Sequence, residues 1–111
     1  MRKIKTKDVF TMARIIKLSG AKDEFAETLR ASQSSDAGDA GKIGVDLIMT
    51  LCSACGEEAI EKKLYELVGD IAEMKAEEIK DMDIDKLVDL FKEISELNNL
   101  SVFFENAVKS A

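Results

Sequence analysis

Apolar residues recur at helical spacing along almost the whole chain, and no Pro interrupts them. Residues three, four and seven positions apart lie on one face of an α-helix, so each such stripe predicts an amphipathic helix with one buried side. The clearest stripe consists of Ile60, Leu64, Leu67, Val68 and Ile71. Because similar stripes fill most of the chain and no segment has the alternation of a half-buried strand, the pattern predicts an all-α fold.

The stripes divide the 111 residues into five or six short amphipathic helices. None of the stripes continues for three heptads, so a compact helical bundle is favoured over a coiled coil. A chain of this length forms one domain, and we predict a single helical domain over residues 1–111. The expected helices run from an N-cap at Thr6 to Gly20, over about 22–31, 42–55, 57–72 and 84–97, and from about Leu100, with a short helical turn around 76–80.

Two segments lack an apolar stripe. The basic segment Met1–Lys5 is expected to be loosely held. Residues 32–41 read SQSSDAGDAG and contain no large apolar side chain, so they predict a flexible loop. This loop is either a plain linker or a segment that becomes ordered on a partner, and the sequence leaves both interpretations open.

Charge is distributed unevenly along the chain, whose net charge is −6. Residues 1–30 contain eight Lys and Arg against four Asp and Glu, whereas residues 31–111 contain eight against eighteen. An acidic body repels phosphate backbones, which argues against nucleic-acid binding. No apolar run approaches the roughly 20 residues that span a bilayer, and no signal-peptide pattern opens the chain, so we expect a cytoplasmic protein with no membrane partner.

The residue types argue against an enzyme. The chain contains no His, so Ser and Thr have no imidazole base and a hydrolytic triad is excluded. Cys52 and Cys55 form the only tempting motif, but two thiols without a second pair or a His do not complete a zinc site. They share a face with Leu47 and Leu51, which favours buried, reduced structural thiols over redox or metal chemistry. We therefore predict no catalytic residue, no cofactor and no metal.

Asp81, Asp83 and Asp85 alternate as at the start of a calcium-binding EF-hand loop. The sixth position of such a loop requires Gly and the twelfth a bidentate Glu, and here they are Lys86 and Lys92. Helix capping by Asp83, with acids that match the helix dipole, is the favoured interpretation.

The C-terminal helix has an unusually wide apolar surface. Phe103 and Phe104 are adjacent and diverge by about 100° around the helix, so they cannot point into one narrow groove. Either the helix is wrapped on more than one side by the core of its own chain, or part of it is exposed for a partner. Under the second interpretation Phe103, Phe104 and Val108 are the candidate partner-binding residues.

Three segments together resemble the tail assembly chaperones of long-tailed bacteriophages and of prophages in Gram-positive bacteria. They are KIKTKDVFTMARIIKLSG, IGVDLIMTLCSACGEEAIEKKLYELVGDIAEM and MDIDKLVDLFKEISELNNLSVFFENAVKS. The resemblance lies in a run of amphipathic helices with a charged start and an end that contains two adjacent Phe. It has no catalytic or ligand-binding motif, so it assigns no site residue.

The resemblance implies a small helical protein that binds and solubilises the tape-measure protein during tail morphogenesis. Such a chaperone helps to recruit tail-tube subunits in the host cytoplasm and is absent from the finished virion. It also implies possible self-association and a second form, extended at the C-terminus by a ribosomal frameshift. The alternative is a small helical adaptor or regulator with no role in tail assembly, and an enzyme based on the two Cys is the third and weakest class.

Overall fold

The computed structural model describes residues 1–34, 40–55 and 58–111. These residues form seven α-helices and no strand, which confirms the predicted all-α class. The helices are α1 (Thr6–Ser19), α2 (Lys22–Ser34), α3 (Ala40–Cys55), α4 (Glu58–Ala72), α5 (Ala76–Lys80), α6 (Ile84–Leu97) and α7 (Leu100–Ser110).

The predicted number of five or six helices is wrong by at least one, because the turn at Ala76–Lys80 is a separate helix. Lys75 precedes it in an extended conformation and Asp81 ends it, while its single buried residue, Ile79, fixes it to the core. Five residues are too few to establish a periodic stripe, so the sequence pattern could not separate this helix from a turn.

The boundaries predicted for the loop at 32–41 also differ from those observed. Helix α2 continues to Ser34 and helix α3 begins at Ala40, so both ends of the predicted loop are helical. The centre of the predicted loop, residues 35–39, lies outside the described residues, and its flexibility stays a prediction. Composition placed the start of the loop too early because Ser and Gln are tolerated in a last helical turn, and it placed the end too late because Ala40 and Gly41 already belong to α3.

All seven helices contribute to one continuous apolar core. Helix α1 packs against α7 and α4 and also contacts α2 and α3, while α3 lies along α6. Met12, Ile15 and Ile16 place one side of α1 in the centre of the molecule. Every helix therefore buries its apolar stripe against a neighbour, as amphipathic helices in a bundle must.

Helices α3 and α6 approach each other closely at Gly44. A Cβ atom at this position would lie 2.7 Å from Cδ1 of Phe91 on α6. This separation is far below an ordinary carbon–carbon contact, so Gly44 allows the aromatic ring to lie against the backbone of α3. A side chain at this position would push α3 away from α6.

The N-terminal segment is firmly attached, which contradicts the expectation that Met1–Lys5 is loose. The Arg2 backbone N–H donates to the Ile71 carbonyl at 2.9 Å, and the Ile4 N–H donates to Asn98 Oδ1 at 2.8 Å. Arg2 also donates from Nε to the Asp70 carbonyl at 3.1 Å. These bonds fix the segment to the end of α4 and to the residue that ends α6.

Asp8 is the only buried charged residue among those described, with 2% of its surface exposed. Its two carboxylate oxygens accept from the Arg2 guanidinium at 2.7 and 2.9 Å, and Oδ2 also accepts from the Lys5 N–H at 2.7 Å. Nη2 of Arg2, which donates to Asp8 Oδ1, also donates to the Asp70 carboxylate. Lys5, not the predicted Thr6, is therefore the N-cap of α1, and the acceptor for its N–H is Asp8.

The environment of Asp8 shifts its pKa in two opposite directions. Burial alone raises the pKa, because it disfavours the charged form. Hydrogen bonds from Arg2 and from the Lys5 backbone outweigh burial, so the net effect is a pKa below the ordinary value. The same contacts raise the pKa of Arg2 above its ordinary value.

Helix α4 ends in a Schellman turn with Glu73 in the left-handed conformation, at φ 60°. The Met74 N–H donates to the Gly69 carbonyl at 2.8 Å and the Glu73 N–H to the Asp70 carbonyl at 3.4 Å. A Cβ on Gly69 would lie 2.7 Å from the Met74 carbonyl oxygen, so the turn requires glycine there. Glu73 itself occupies a position that glycine normally fills.

Replacement of Asp8 by Asn should destabilise the protein at neutral pH. Loss of the buried carboxylate leaves Arg2 without its bidentate partner, and we expect about 2–3 kcal/mol less free energy of unfolding. Because the pKa of Asp8 is lowered on folding, its contribution is present above the ordinary carboxyl pKa of about 4 and is lost as pH falls below it. Urea unfolding of both proteins at several pH values measures the difference, which should shrink in acid.

The matched control is Asp89→Asn, which removes an exposed carboxylate from α6. Its free energy of unfolding should stay within about 0.5 kcal/mol of the wild type. An equal loss in the two variants would contradict a specific role for Asp8.

The left-handed residue at the end of α4 gives a second prediction. Glu73→Gly should be more stable than Glu73→Ala by about 1 kcal/mol, because only Ala retains the Cβ that strains this conformation. Both variants lose the contact of 3.2 Å between Glu73 Oε2 and the Met1 amino group. The difference between their free energies of unfolding therefore reports the backbone strain at this residue. Thermal or urea unfolding of the pair measures it, and equal stabilities would show that the turn relaxes without cost.

Candidate partner-binding surface

Among the residues that the structure describes, no group of three or more His, Cys, Asp or Glu could hold a metal ion. Asp83 occupies the N-cap of α6 as predicted, but its side chain makes no capping hydrogen bond, and Asp85 lies in the first turn. Cys52 and Cys55 belong to α3, and the prediction that their thiols are buried concerns side chains outside the described set.

The structure places the predicted partner-binding residues of α7 in or beside the core. Phe103 and Phe104 are buried, and Val108 is partly buried against the core. The ring of Phe104 meets that of Phe25 edge-on at 5.7 Å, and the rings of Phe103 and Phe104 are 5.2 Å apart. Of the two interpretations left open by the sequence, the fold shows α7 wrapped by its own chain at these two Phe.

Both adjacent Phe are buried because α7 packs on α1 and α2 together, which covers a wide sector of its surface. Val102 is the apolar side chain that α7 exposes, at 48%. Binding of a partner by Phe103, Phe104 or Val108 stays a prediction. In this fold it requires either movement of α7 or a contact that begins at Val102.

Helix α1 presents the most prominent exposed apolar side chains of a single helix. Phe10 is 50% exposed and Leu18 is 61% exposed, although α1 buries its opposite side in the centre of the molecule. Lys7, Arg14 and Lys17 are exposed on the same helix. The solvent face of α1 is thus both apolar and cationic, in a chain whose net charge is −6.

One side of this face forms a wall of an open cleft between α1 and α4. The cleft has a volume of about 460 Å³. Helix α1 supplies residues spaced by about one turn, and helix α4 faces them. The lining consists of Lys7, Asp8, Thr11, Arg14, Ile15 and Leu18 from α1, and Lys63, Glu66, Leu67 and Asp70 from α4. We call this feature the α1–α4 cleft.

The charges in the α1–α4 cleft are not balanced. Arg2 forms ion pairs with both Asp8 and Asp70, so a single positive charge offsets one of their two negative charges. Arg14 and Lys63, on opposite walls, form no ion pair with any residue in the described ranges. Glu66 is the remaining carboxylate of the lining. With Arg2 included, the cleft holds four cations (Arg2, Lys7, Arg14 and Lys63) against three carboxylates, so it has a small positive excess above an apolar floor at Ile15 and Leu67.

Sequence reasoning noted the basic first thirty residues but did not identify this surface. A signal for it was present, because Phe10 and Leu18 fall outside the stripe of Val9, Met12 and Ile16. Large apolar residues that leave the buried stripe of a helix are the ones to examine for partner binding. The contribution of α4 could not be found from spacing, since it depends on how the two helices pack.

Comparison of the chain with models of known protein families, with curated proteins and with solved structures finds no match. Within the described residues, no helix has both the length and the apolar character needed to cross a bilayer. The resemblance to tail assembly chaperones therefore stays an expectation from the sequence.

The position of Phe104 generates a prediction about stability. Phe104→Ala should lower the free energy of unfolding by about 3–5 kcal/mol, because it opens a cavity where three Phe rings meet. Val102→Ala, on the exposed side of the same helix, should cost less than about 1 kcal/mol. Urea unfolding compares them, and similar losses would show that α7 is not packed as described.

Proposed function

We propose that this protein is a phage tail assembly chaperone that binds the tape-measure protein and keeps it soluble while the tail is built. Three features support the proposal. They are the resemblance of three segments to that family, the all-α fold, and the exposed apolar face of α1 beside an open cleft. The last of these carries most weight, because it is a surface and can be tested directly.

The α1–α4 cleft suits a helical client. An amphipathic helix binds a partner by laying its apolar face into a groove, and the cleft offers Leu18 at its edge with Ile15 and Leu67 beneath. Because the cleft is open to solvent, we expect a segment from the middle of a long chain to enter it side-on. A chaperone for a tape-measure protein has to bind such internal segments.

The contacts available in one cleft are few, and each copy is expected to bind weakly. A long client with repeated apolar helical segments can hold many copies at once, and the combined avidity then far exceeds the affinity of one site. The acidic body, with a net charge of −10 over residues 31–111, would face outward and keep the coated client dispersed. Release before the tail is complete is compatible with weak individual contacts.

Recruitment of tail-tube subunits, self-association and a frameshifted longer form belong to the same proposal. Phe103, Phe104 and Val108 remain candidates for a second contact, and Val102 is their exposed neighbour. A protein with one surface for the client and a second for tube subunits could bring the two together.

A small adaptor or regulator is the second candidate function. The observation that favours it is that the α1–α4 cleft is a single site of about 460 Å³, enough for one short segment of one partner. An adaptor would bind that partner at a fixed ratio, whereas a chaperone would bind many copies to one long chain.

Co-expression of this protein with its proposed client, the product of the longest neighbouring gene, tests the proposed function. We expect the tape-measure protein to be recovered in the soluble fraction with several copies of this chain, as measured by native mass spectrometry. Leu18→Asp should lower that recovery, because it places a charge on the apolar edge of the cleft. Ile84→Asp is the matched control, since Ile84 is similarly exposed, at 56%, on α6.

Equal recovery with both variants would place client binding elsewhere on the protein. Capture of one small protein at a fixed ratio, with no tail component, would contradict the chaperone function and support the adaptor.

A further inference from the structure

The cationic character of the α1–α4 cleft indicates the chemistry of what it binds. We propose that the cleft binds an amphipathic helix whose apolar stripe is flanked by carboxylates. This inference rests on the proposed function, of which it names the client chemistry and the docking site. It is carried by the unpaired cations on the two walls of the cleft and by the exposed apolar side chains beside them.

The spacing of the α1 wall sets the length of the bound segment. Lys7, Thr11, Arg14 and Leu18 follow one another at intervals of four, three and four residues, so they form one row along the helix. With a rise of about 1.5 Å per residue, the row is about 16 Å long, or three helical turns. A helical segment of about 11–12 residues is enough to cover it.

The charges of the cleft select the acidic partner. Arg14 on one wall and Lys63 on the other have no ion-pair partner among the described residues, so a carboxylate on either flank of a bound helix can reach one of them. Asp8 and Asp70 share the single positive charge of Arg2, so one negative charge of that pair remains. A basic helix would meet three further cations, Arg14, Lys63 and Lys7, against that charge and Glu66.

The attraction acts at short range, because the whole chain carries −6. At physiological ionic strength the Debye length is about 8 Å, so a segment within the cleft experiences Arg14 and Lys63 more than the distant acidic body. The apolar contact at Leu18 then provides affinity, and the flanking charges decide which helix is accepted.

Two designed peptides and an oligonucleotide test the proposal with the intact chain. The acidic peptide has about 16 residues, enough for four turns, with a Leu stripe flanked by Glu. The basic peptide has Lys at every Glu position, and the third probe is a single-stranded oligonucleotide of similar length. Fluorescence anisotropy measures the affinity of each labelled probe for the wild type and for two variants at several salt concentrations.

The expected result is that the acidic peptide binds at least about tenfold more tightly than the basic one. Added salt should reduce this ratio of affinities. Arg14→Glu should lower the affinity for the acidic peptide by about three- to tenfold, since it replaces an attraction by a repulsion. Lys86→Glu is the matched control, because it makes the same change of charge on the exposed side of α6 and should leave the affinity unchanged.

Equal affinity for the two peptides, an unchanged affinity in Arg14→Glu, or absence of peptide binding would overturn the proposal. Tighter binding of the oligonucleotide than of the acidic peptide would overturn it too, in favour of a phosphate-binding face. The docking site and the proposed function can be disproved separately. If the tape-measure protein is captured equally by the wild type and by Arg14→Glu, the chaperone function stands and the docking site is wrong.

Discussion

A carboxylate buried at the wall of the α1–α4 cleft needs hydrogen-bond donors, and Asp8 obtains them from the N-terminal segment. Desolvation of an unpaired carboxylate would cost several kcal/mol, so the buried position is tolerable only while Arg2 and the Lys5 N–H remain in place. Arg2 is in turn bound to the last turn of α4 through Asp70 and Ile71. One ion cluster thereby sets the position of α1 relative to α4.

The same cluster determines the character of the surface above it. Arg2 pairs with both carboxylates at one end of the α1–α4 cleft, so the cations further along it have no ion-pair partner there and face solvent. A protein with an acidic body thus acquires a local patch of opposite sign without any change in its net charge. Apolar contacts alone would let the cleft accept many amphipathic helices, and the local charge provides selectivity among them.

The helices were predictable from the sequence because each long stripe is a local property of its own segment. What sequence reasoning missed depends on residues far apart in the chain: Arg2 and Asp70 are 68 positions apart, and Ile4 and Asn98 are 94 apart. Spacing could not show that the N-terminal segment is fixed, or that α7 would have neighbours on two sides. The exposure of Phe10 and Leu18 could be predicted, because both lie off the buried stripe of α1. The cleft could not be predicted, because it depends on how α4 packs against α1. The functional expectation came from resemblance alone.

The packing of α1 on α7 has a consequence for how the protein is made. These helices lie at opposite ends of the chain, so α1 leaves the ribosome long before its main neighbour exists. At about 5–20 residues per second, the roughly 80 residues between them take on the order of 4–16 s to synthesise. During that interval Met12, Ile15 and Ile16 have only a partial core to enter. Completion of the fold is therefore a late, long-range event, and the nascent chain itself spends seconds as an exposed amphipathic helix.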